Sequence, residues 1–307
     1  MNVLIQSPLN YTGGKYRLLP QILPYFPKKI DTFIDLFCGG GNVGININAD
    51  YIIYNDINRE LIYLFNTFYN LDKESIFDWI YQIIEQYGLS QVSKYGYDYY
   101  ECNSSKGLSE YNKRYFLKLR DDFNTKINED YYYYVMLYVL IVYSFNNQIR
   151  FNSNGYFNLP VGKRDFNKKM EEKLTLFLNK LKQQNCVFKN KDFRYFYDFR
   201  FSNNDFVYID PPYLITCATY NEQGAWTDKD EIELLHFLDY LDKNGVSFAL
   251  SNVLQSKGRY NEVLQKWLIS NNKYIINYLN YSYSHSNYQI KNKEANSVEV
   301  LITNYGS

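Results

Sequence analysis

Short apolar runs near both ends of the chain predict buried β-strands. They occupy residues 32–37, 51–54, 187–188, 206–209, 246–250 and 297–303. Runs of this length without alternating polar positions are typical of strands that are covered on both faces of a sheet. We therefore expect the two ends of the chain to build one sheet together.

The middle of the chain has a different pattern. Between residues 61 and 184 the apolar positions recur at helical spacing, and residues 131–143 predict a buried helix. A helix is also expected from about Arg59, and residues 230–242 predict an amphipathic helix between two later strands. The pattern as a whole indicates an α/β fold with an inserted, mostly helical lobe. The expected domains are residues 1–60 together with 185–307, and residues 61–184.

One segment of the helical lobe predicts a β-hairpin. Residues 149–151 and 155–160 contain apolar side chains and flank the polar turn Asn152-Ser153-Asn154. A second turn follows the first predicted strand, where Gly39, Gly40 and Gly41 precede residues 42–45. We expect those four residues to open a helix.

Charge is unevenly distributed along a chain whose net charge is zero. Residues 104–200 hold 18 Lys and Arg against ten Asp and Glu, so the remainder is acidic by the same margin. This segment would bind a polyanion, although a solvated basic surface is the alternative. Aromatic residues make up 19% of the chain. They offer rings that can stack on bases, or they reflect a coding bias.

Several classes of protein are disfavoured by what the sequence lacks. The four cysteines form no CxxC pair, and there are two histidines, so no metal site is expected. The N-terminus lacks the charged start and long apolar run of a signal peptide. The most apolar stretch, residues 135–142, is too short to cross a bilayer. We expect a cytoplasmic protein with no membrane contact.

The glycine-rich turn and the next strand predict a nucleotide-like ligand. Glycines at a strand-to-helix turn let the backbone approach a ligand closely, and Asp56 follows Gly39 by 17 positions. At the end of the second strand a carboxylate can accept hydrogen bonds from ribose hydroxyls. The spacing from Gly39 to Gly44 also suits a nicotinamide dinucleotide. Asp35, inside the first strand, instead favours a cationic ligand such as S-adenosylmethionine.

The tetrapeptide Asp210-Pro211-Pro212-Tyr213 follows a predicted strand and predicts transfer to an exocyclic amine. Such an amine is a poor nucleophile because its lone pair is delocalised into the ring. Two acceptors, the Asp210 carboxylate and the Pro211 carbonyl, would draw it toward tetrahedral geometry, with both prolines fixing the direction of that carbonyl. The Tyr213 ring offers a surface on which the base can stack. Catalysis would then rest on positioning and electrostatics.

The order of these motifs resembles that of the Dam-like DNA adenine-N6 methyltransferases, the D12 class of the alpha group. In that family the cofactor motifs come first, a target-recognition lobe follows and the catalytic motif comes last. The similarity covers nearly the whole chain, and residues 210–213 match the catalytic motif in full. The other matching motifs are Tyr11-Thr12-Gly13-Gly14-Lys15, Asp35-Leu36-Phe37-Cys38-Gly39-Gly40-Gly41, Asn55-Asp56-Ile57-Asn58 and Lys191-Asp192-Phe193.

This resemblance implies a Rossmann-like sheet of the S-adenosylmethionine-dependent methyltransferases and assigns residues to its cofactor. Tyr11, where many relatives have Trp, and Lys15 would lie near the methionine part, and Asp192 with Phe193 would touch the adenine. The expected cofactor-binding residues are Tyr11, Lys15, Asp35, Phe37, Gly39, Gly41, Asp56, Asp192, Phe193 and Asp210.

The predicted hairpin is similar to the DNA-contacting hairpin of the same family. Arg150 is then a candidate reader of guanine, and a phosphate contact or a salt bridge that supports the fold is the alternative. Phe151 or Tyr156 would fill the space left by a rotated-out base. The expected DNA-binding residues are Arg150, Asn152, Tyr156, Lys163 and Arg164.

Together these features predict a site-specific methyltransferase that acts on N6 of a flipped adenine in double-stranded DNA. It would serve restriction-modification, with a cognate restriction endonuclease as its genetic partner, or act as an orphan or phage methylase. We expect a monomer. The alternatives are a cytosine-N4, RNA adenine or glutamine methyltransferase, a non-catalytic DNA-binding protein on the same fold, and a nicotinamide enzyme. Asp210 favours adenine, because Ser or Asn is usual for the other acceptors.

Overall fold

The computed structural model describes residues 3–11, 13–215, 226–280 and 297–306. Thr12, Cys217 and the polar segment 281–296 with His285, to which the sequence assigns no role, lie outside the described residues. The strands are β1 (Thr32–Asp35), β2 (Tyr51–Asn55), β3 (Cys186–Lys189), β4 (Phe206–Ile209), β5 (Ser247–Ser256), β6 (Arg259–Tyr260), β7 (Ile275–Leu279) and β8 (Val298–Thr303). The helices are α1 (Leu19–Ile22), α2 (Arg59–Asn70), α3 (Lys73–Tyr87), α4 (Val92–Tyr95), α5 (Ser109–Thr125), α6 (Tyr131–Tyr143), α7 (Lys168–Leu181), α8 (Asp228–Lys243) and α9 (Glu262–Ser270).

The chain divides into two compact units. The helical unit comprises the residues up to Gly14, together with Gly39–Asn46 and Asn58–Phe188. The sheet unit comprises Lys15–Cys38, Ile47–Ile57 and the residues from Lys189 onward. None of the helices in the described part of the chain is long and apolar enough to span a membrane.

In the described part of the sheet unit six strands lie side by side in the order β2-β1-β4-β5-β8-β7, and β6 pairs with β5. Strands β2, β1, β4 and β5 are parallel, whereas β8 runs antiparallel to both β5 and β7. Phe33, Val207 and Phe248 lie on three neighbouring parallel strands and have no exposed surface. Burial on both faces explains why these strands are continuous apolar runs in the sequence.

The carboxyl ends of the parallel strands bring polar side chains to one edge of the sheet. In the register of the sheet Asp35 lies beside Tyr54 on β2 and beside Tyr208 on β4. Asn55 therefore follows directly beside the end of β1, and Asp210 follows directly after β4. In open α/β sheets this edge is where ligands bind.

The helical unit is organised around α6, whose side chains are apolar on every face. Helices α2, α3 and α5 each pack against it. From Tyr133 to Tyr143 every side chain of α6 is buried. The helix begins after Asp130, whose carboxylate accepts the Tyr133 N–H at 2.8 Å and caps the first turn. A helix that is hydrophobic all round is suited to the centre of a bundle.

The sequence predicted the strands at 51–54, 187–188 and 206–209, the helix over 131–143 and the helix that begins at Arg59, and the structure confirms them. The helix expected over residues 42–45 was wrong, because only a short 3₁₀ helix, Gly44–Asn46, forms there. The Asn46 side chain bonds both the N–H and the C=O of Ile5 at 2.8 Å. Residues 42–46 therefore hold the N-terminal segment, and the chain then enters β2.

The predicted β-hairpin forms in a short version, in which the Asn152 N–H bonds the C=O of Tyr156 at 2.9 Å and the Asn158 N–H bonds the C=O of Arg150 at 3.2 Å. Within the described residues its two arms are joined by a single antiparallel bridge, Phe151 to Phe157. The side chain of Asn124 bonds the N–H of Phe157 at 2.8 Å and its C=O at 3.1 Å. The N–H and C=O of Phe157 point away from the other arm of the hairpin, so a side chain of α5 satisfies them in place of a further strand.

Candidate active site

Asp210 lies at the end of β4 with a hydrogen-bonding group on each carboxylate oxygen. Lys15 Nζ is 2.8 Å from Oδ2, and the Tyr213 hydroxyl donates to Oδ1 at 3.1 Å. Lys15 Nζ also lies 4.9 Å from the centre of the Tyr213 ring, in a cation–π contact. The Lys15 and Asp210 side chains are only 5% and 17% exposed. A buried acid, base and phenol thus form one connected group.

Burial shifts the pKa values of Asp210 and Tyr213. Removal from water raises the pKa of Asp210, and the Lys15 ammonium and the Tyr213 hydroxyl oppose that rise by favouring the carboxylate. Burial and the charge of Asp210 together raise the pKa of Tyr213 well above its usual range. Tyr213 therefore remains a phenol that donates to Asp210. Each carboxylate oxygen has two acceptor positions, so Asp210 can still accept a further donor.

The residues around Asp210 hold the strand end rigidly. Pro211 is buried, and Pro212 is exposed. Neither has a backbone N–H, and each ring fixes φ. Two residues earlier, the buried Tyr208 hydroxyl lies 2.8 Å from the Ser251 hydroxyl on the adjacent strand β5. This bond joins the two strands just below the site.

A second set of acids lies at the ends of β1 and β2. Asp35 and Asp56 are buried, and burial together with their two charges raises the pKa of the Cys38 thiol. The same field that disfavours a thiolate favours a positively charged ligand. The sequence predicted both carboxylates as cofactor-binding residues, and the structure places both in the sheet unit.

Two asparagines, Asn55 and Asn190, for which the sequence predicted no individual role, hold the segment after β3. Asn55 donates to the C=O groups of Leu36 at 2.9 Å and Lys191 at 3.0 Å, and it accepts the Lys191 N–H at 3.2 Å. Asn190 donates to the C=O of Asp56 at 2.9 Å. These bonds fix the predicted motif 191–193 beside the end of β2. The signal for Asn55 was its place directly after a buried strand.

The aromatic rings of Phe37, Phe193 and Trp226 contact one another in the sheet unit. The Phe37 and Phe193 ring centres are 5.9 Å apart, and Trp226 lies 5.8 Å from Phe37 and 6.0 Å from Phe193. The sequence predicted Phe37 and Phe193, but it missed Trp226. The available signal was its position immediately before the capping box of α8, in which Thr227 and Asp230 bond one another's backbone N–H groups.

Asp192, the acid beside Phe193, is paired with its own neighbour. Its Oδ1 accepts the Arg194 N–H at 2.9 Å, and its carboxylate receives the Arg194 guanidinium at 3.1 and 3.0 Å. Asp192 also caps the 3₁₀ helix Phe193–Asp198. Its position in this structure therefore gives it a role in shaping the segment.

Tyr11, Gly39 and Gly41 lie together in the helical unit. Gly39 has a positive φ of 47°, and a Cβ there would lie 2.9 Å from the Tyr11 ring. Glycine is therefore required both by the backbone and by the close approach of Tyr11. Gly41 also has a positive φ, and its neighbour is the Phe65 ring. The aromatic motif and the glycine-rich turn, separated in sequence, are in contact.

The candidate DNA-binding residues also lie in the helical unit. Arg150 donates to the Oδ1 of Asn158 at 2.8 Å and to its C=O at 3.2 Å, which uses two of the five N–H donors of an arginine. The Asn152 oxygen accepts the N–H groups of Asn154 and Tyr156 and so shapes the turn. Tyr156 is exposed at the tip of the loop, and Lys163 and Arg164 are exposed beyond it.

Comparison with known proteins gives a consistent assignment. The family described as D12 class N6 adenine-specific DNA methyltransferase matches residues 11–298. The chain is 43% identical to the type II methyltransferase M.FokI of Planomicrobium okeanokoites, over 99% of this chain and 43% of that protein. It is 41% identical to the modification methylase StsI of Streptococcus sanguinis, over 98% and 43%.

A less similar relative is also named as a DNA methylase. The chain is 29% identical to a DNA adenine methylase of Haemophilus influenzae, over 67% of this chain and 63% of that protein. The chain thus spans less than half the length of the first two relatives and about two thirds of the third.

Proposed function

The chain belongs to the D12 class of N6 adenine-specific DNA methyltransferases, and on that premise we propose that it transfers a methyl group from S-adenosylmethionine to N6 of an adenine rotated out of double-stranded DNA. The observation that carries the proposal is the buried carboxylate of Asp210 at the end of β4, paired with Lys15 and Tyr213. A buried charge is costly unless it is paired, and this carboxylate is paired with Lys15 beside a ligand-binding edge.

The proposed role of Asp210 is to accept a hydrogen bond from the adenine amine. The Pro211 carbonyl accepts the second N–H, and the nitrogen lone pair is then directed away from both acceptors. Lys15 keeps Asp210 charged, and the Tyr213 ring supports the face of the base. When bound, the cofactor supplies a methyl group on a sulfonium. The amine gains that methyl and releases one proton, and no bond forms to the protein.

The sheet unit fits this cofactor better than it fits a dinucleotide. Buried carboxylates at Asp35 and Asp56 create a negative field, which adds to the effect of burial in raising the pKa of Cys38. Such a field stabilises an ammonium and a sulfonium and opposes a pyrophosphate. In the proposed site Asp35, Asp56 and Lys15 of the sheet unit hold the polar parts of the cofactor.

For DNA, the proposal assigns residues 61–184 to target recognition and residues 1–60 with 185–307 to catalysis. Lys163 and Arg164 are exposed and would contact phosphates, and Tyr156 at the loop tip would contact bases. The names of the two most similar relatives reported above support a role in restriction-modification. A cognate endonuclease would then be a genetic partner of a monomeric methylase.

Nucleoside analysis tests the proposal. The full chain is incubated with duplex DNA and methyl-labelled S-adenosylmethionine, and the digested nucleosides are separated. We expect label in N6-methyl-2′-deoxyadenosine, and a loss of at least about 10³-fold for Asp210→Ala, since that variant removes a charged acceptor used in the transition state. Label in N4-methyl-2′-deoxycytidine, or full activity of Asp210→Ala, would overturn the proposal.

A further inference from the structure

Trp226 presents an aromatic face that the sequence motifs do not account for. Of the three rings in contact, Phe193 is only 2% exposed, whereas Phe37 and Trp226 are half-buried. The plane of Trp226 stands at 84° to that of Phe37. Phe193 therefore lies beneath the other two, and the accessible aromatic surface belongs to Phe37 and Trp226.

We propose that Trp226 is a binding residue for the adenine ring of the cofactor, which stacks on the indole face and meets Phe37 in an edge-to-face contact, and that Glu231 is the positioning residue that holds the indole. The proposal rests on the proposed function, because it assumes an adenosyl cofactor. It differs from the assignment by resemblance, in which Phe193 touches the adenine. Here Phe193 supports the two rings that do.

The carboxylate of Glu231 fixes the Trp226 ring. Trp226 Nε1 donates to Glu231 Oε2 at 2.6 Å. The other oxygen accepts from the side chains of Asn252 at 3.1 Å and Asn261 at 2.9 Å. Glu231 has no exposed surface. Hydrogen bonds to a charged acceptor are stronger than those between neutral groups, so the indole is held in one orientation.

The two asparagines are themselves held in place. Asn252 Oδ1 accepts the N–H of Val253 at 2.7 Å, and Asn261 Oδ1 accepts the N–H of Leu264 at 3.0 Å as the cap of α9. The network therefore joins α8, β5 and α9. The side chains of Trp226, Asn252 and Asn261, which donate to Glu231, are all neutral. Burying a carboxylic acid among neutral donors costs free energy that an apolar side chain would not cost. We infer that the carboxylate is present because the Trp226 N–H needs an acceptor.

The first turns of α8 also hold the supporting ring. Arg194 Nη2 is 2.8 Å from Asp230 Oδ1, and Arg194 Nε donates to Glu233 at 2.5 Å. Its guanidinium lies 4.5 Å from the centre of the Phe193 ring. Residues 230–233 thus fix Phe193 through Arg194 and fix Trp226 through Glu231. One helix end sets the geometry of the whole aromatic surface.

Trp267 offers a matched control in the same unit. Its Nε1 also donates to a carboxylate, that of Asp239, at 3.1 and 3.2 Å. Its ring stacks on Tyr274 with centres 4.7 Å apart, and the side chain is buried. A substitution there also removes an indole and an indole–carboxylate hydrogen bond, but the ring contact that it removes is with Tyr274 and not with Phe37.

Calorimetry of S-adenosylhomocysteine binding to the full chain tests the proposal. We expect Trp226→Leu to raise Kd by about 10- to 100-fold, Trp226→Phe to stay within about fivefold of wild type, and Trp267→Leu to leave Kd unchanged, because base–aromatic stacking depends on the ring. Equal Kd values for folded Trp226→Leu and wild type would overturn the assignment. A wild type that does not bind this ligand would instead contradict the proposed function.

The role of Glu231 has its own readout. Glu231→Leu removes the acceptor and should raise Kd about 3- to 10-fold, and Glu231→Gln should recover only part of that loss, because one amide oxygen cannot accept both from the indole and from the two asparagines. In both variants KM for the cofactor should rise while kcat is nearly unchanged. A fall in kcat at constant KM would contradict a positioning role at the cofactor.

A second measurement does not depend on removing Trp226. The chain has three tryptophans, so Trp79→Phe/Trp267→Phe leaves Trp226 as the only indole. Its fluorescence should be quenched by S-adenosylhomocysteine and should saturate at the calorimetric Kd. Unchanged emission at saturation would overturn the proposal, even if Trp226→Leu fails to fold.

Discussion

At the scale of single residues, the ion pair of Lys15 and Asp210 carries the chemistry. The side chains are nearly buried, and their atoms are 2.8 Å apart. Desolvation favours the protonated acid, and the ammonium favours the carboxylate. The proposed catalytic state of Asp210 therefore depends on a neighbour that lies 195 positions earlier in the sequence.

Replacing Lys15 with Met should make the enzyme more sensitive to acid. The folded pKa of Asp210 is already raised by burial, and removing the ammonium leaves that rise unopposed. The carboxylate is then lost at a higher pH, so the acidic limb of kcat against pH should move upward. Profiles at saturating cofactor and DNA measure this. Lys29→Met, at an exposed pair 3.7 Å from Asp31, is the control.

Tyr213 allows the hydroxyl and the ring to be separated. Tyr213→Phe keeps the ring and loses one hydrogen bond to Asp210, so we expect less than about a tenfold loss in the single-turnover rate. Tyr213→Ala also loses the stacking surface and should lose a further factor of about 10. Equal losses in the two variants would mean that the ring has no part in holding the base.

The sequence was sufficient to predict those residues of the candidate site that are acidic and lie at the end of a predicted strand. Asp35, Asp56 and Asp210 meet this condition. Trp226 and Glu231 do not, because their partners, Phe37, Asn252 and Asn261, come from distant parts of the chain. A local pattern contains no information about such pairings.

At the scale of elements, the loop between α6 and α7 depends on one close backbone contact. A Cβ on Gly162 would lie 2.3 Å from the C=O oxygen of Ser144, and the Gly162 N–H donates to Tyr143 at 2.7 Å. The carbonyl oxygens of Ser144 and Tyr143 cannot move aside easily, because both belong to the backbone at the end of α6. The loop that carries Tyr156 is closed by this contact.

Gly162→Ala should therefore lower stability strongly. We expect a loss of about 3 kcal/mol or more, since backbone must shift in a packed region. Gly155→Ala is the matched control, because its Cβ meets nothing within 4 Å and only its positive φ is unfavourable. That variant should lose about 1 kcal/mol. Urea unfolding of both variants compares the losses, and similar values would contradict the steric argument.

Arg150 tests whether the loop reads sequence. Arg150→Ala should relax discrimination at one base pair if the remaining donors of the guanidinium reach a base. The bonds to Asn158 also give Arg150 a structural role, so its thermal unfolding is measured alongside. A uniform loss on all sequences together with a lower Tm would assign Arg150 to support of the loop.

Sequence patterns were sufficient for the elements with one clear periodicity and failed for the others. Helix α6 and the parallel strands were predicted because burial on all sides leaves continuous apolar runs. Strand β7 was missed, because its pattern mixes exposed and buried positions at the edge of the sheet. The hairpin was predicted from its polar turn, but its contact with Asn124 on α5 was not, because no local pattern indicates such a partner.

At the scale of the whole molecule, charge is separated along the chain although the net charge is zero. Lys168 and Lys169 are exposed at the start of α7. The variant Lys168→Ala/Lys169→Ala should weaken binding to all duplexes alike and reduce the slope of log K against log salt by about 1 to 2. Titrations at several salt concentrations measure this, and an unchanged slope would remove α7 from the DNA contacts.

The sheet order has a consequence for the synthesis of the protein. Strand β1 pairs on one side with β2 and on the other with β4, and Phe33 and its partner Phe206 are about 170 positions apart. Until the ribosome has produced β4, the edge of β1 that pairs with β4 has no strand beside it. Pairings at such long range form slowly, so we expect the nascent chain to be prone to aggregation until β4 is complete.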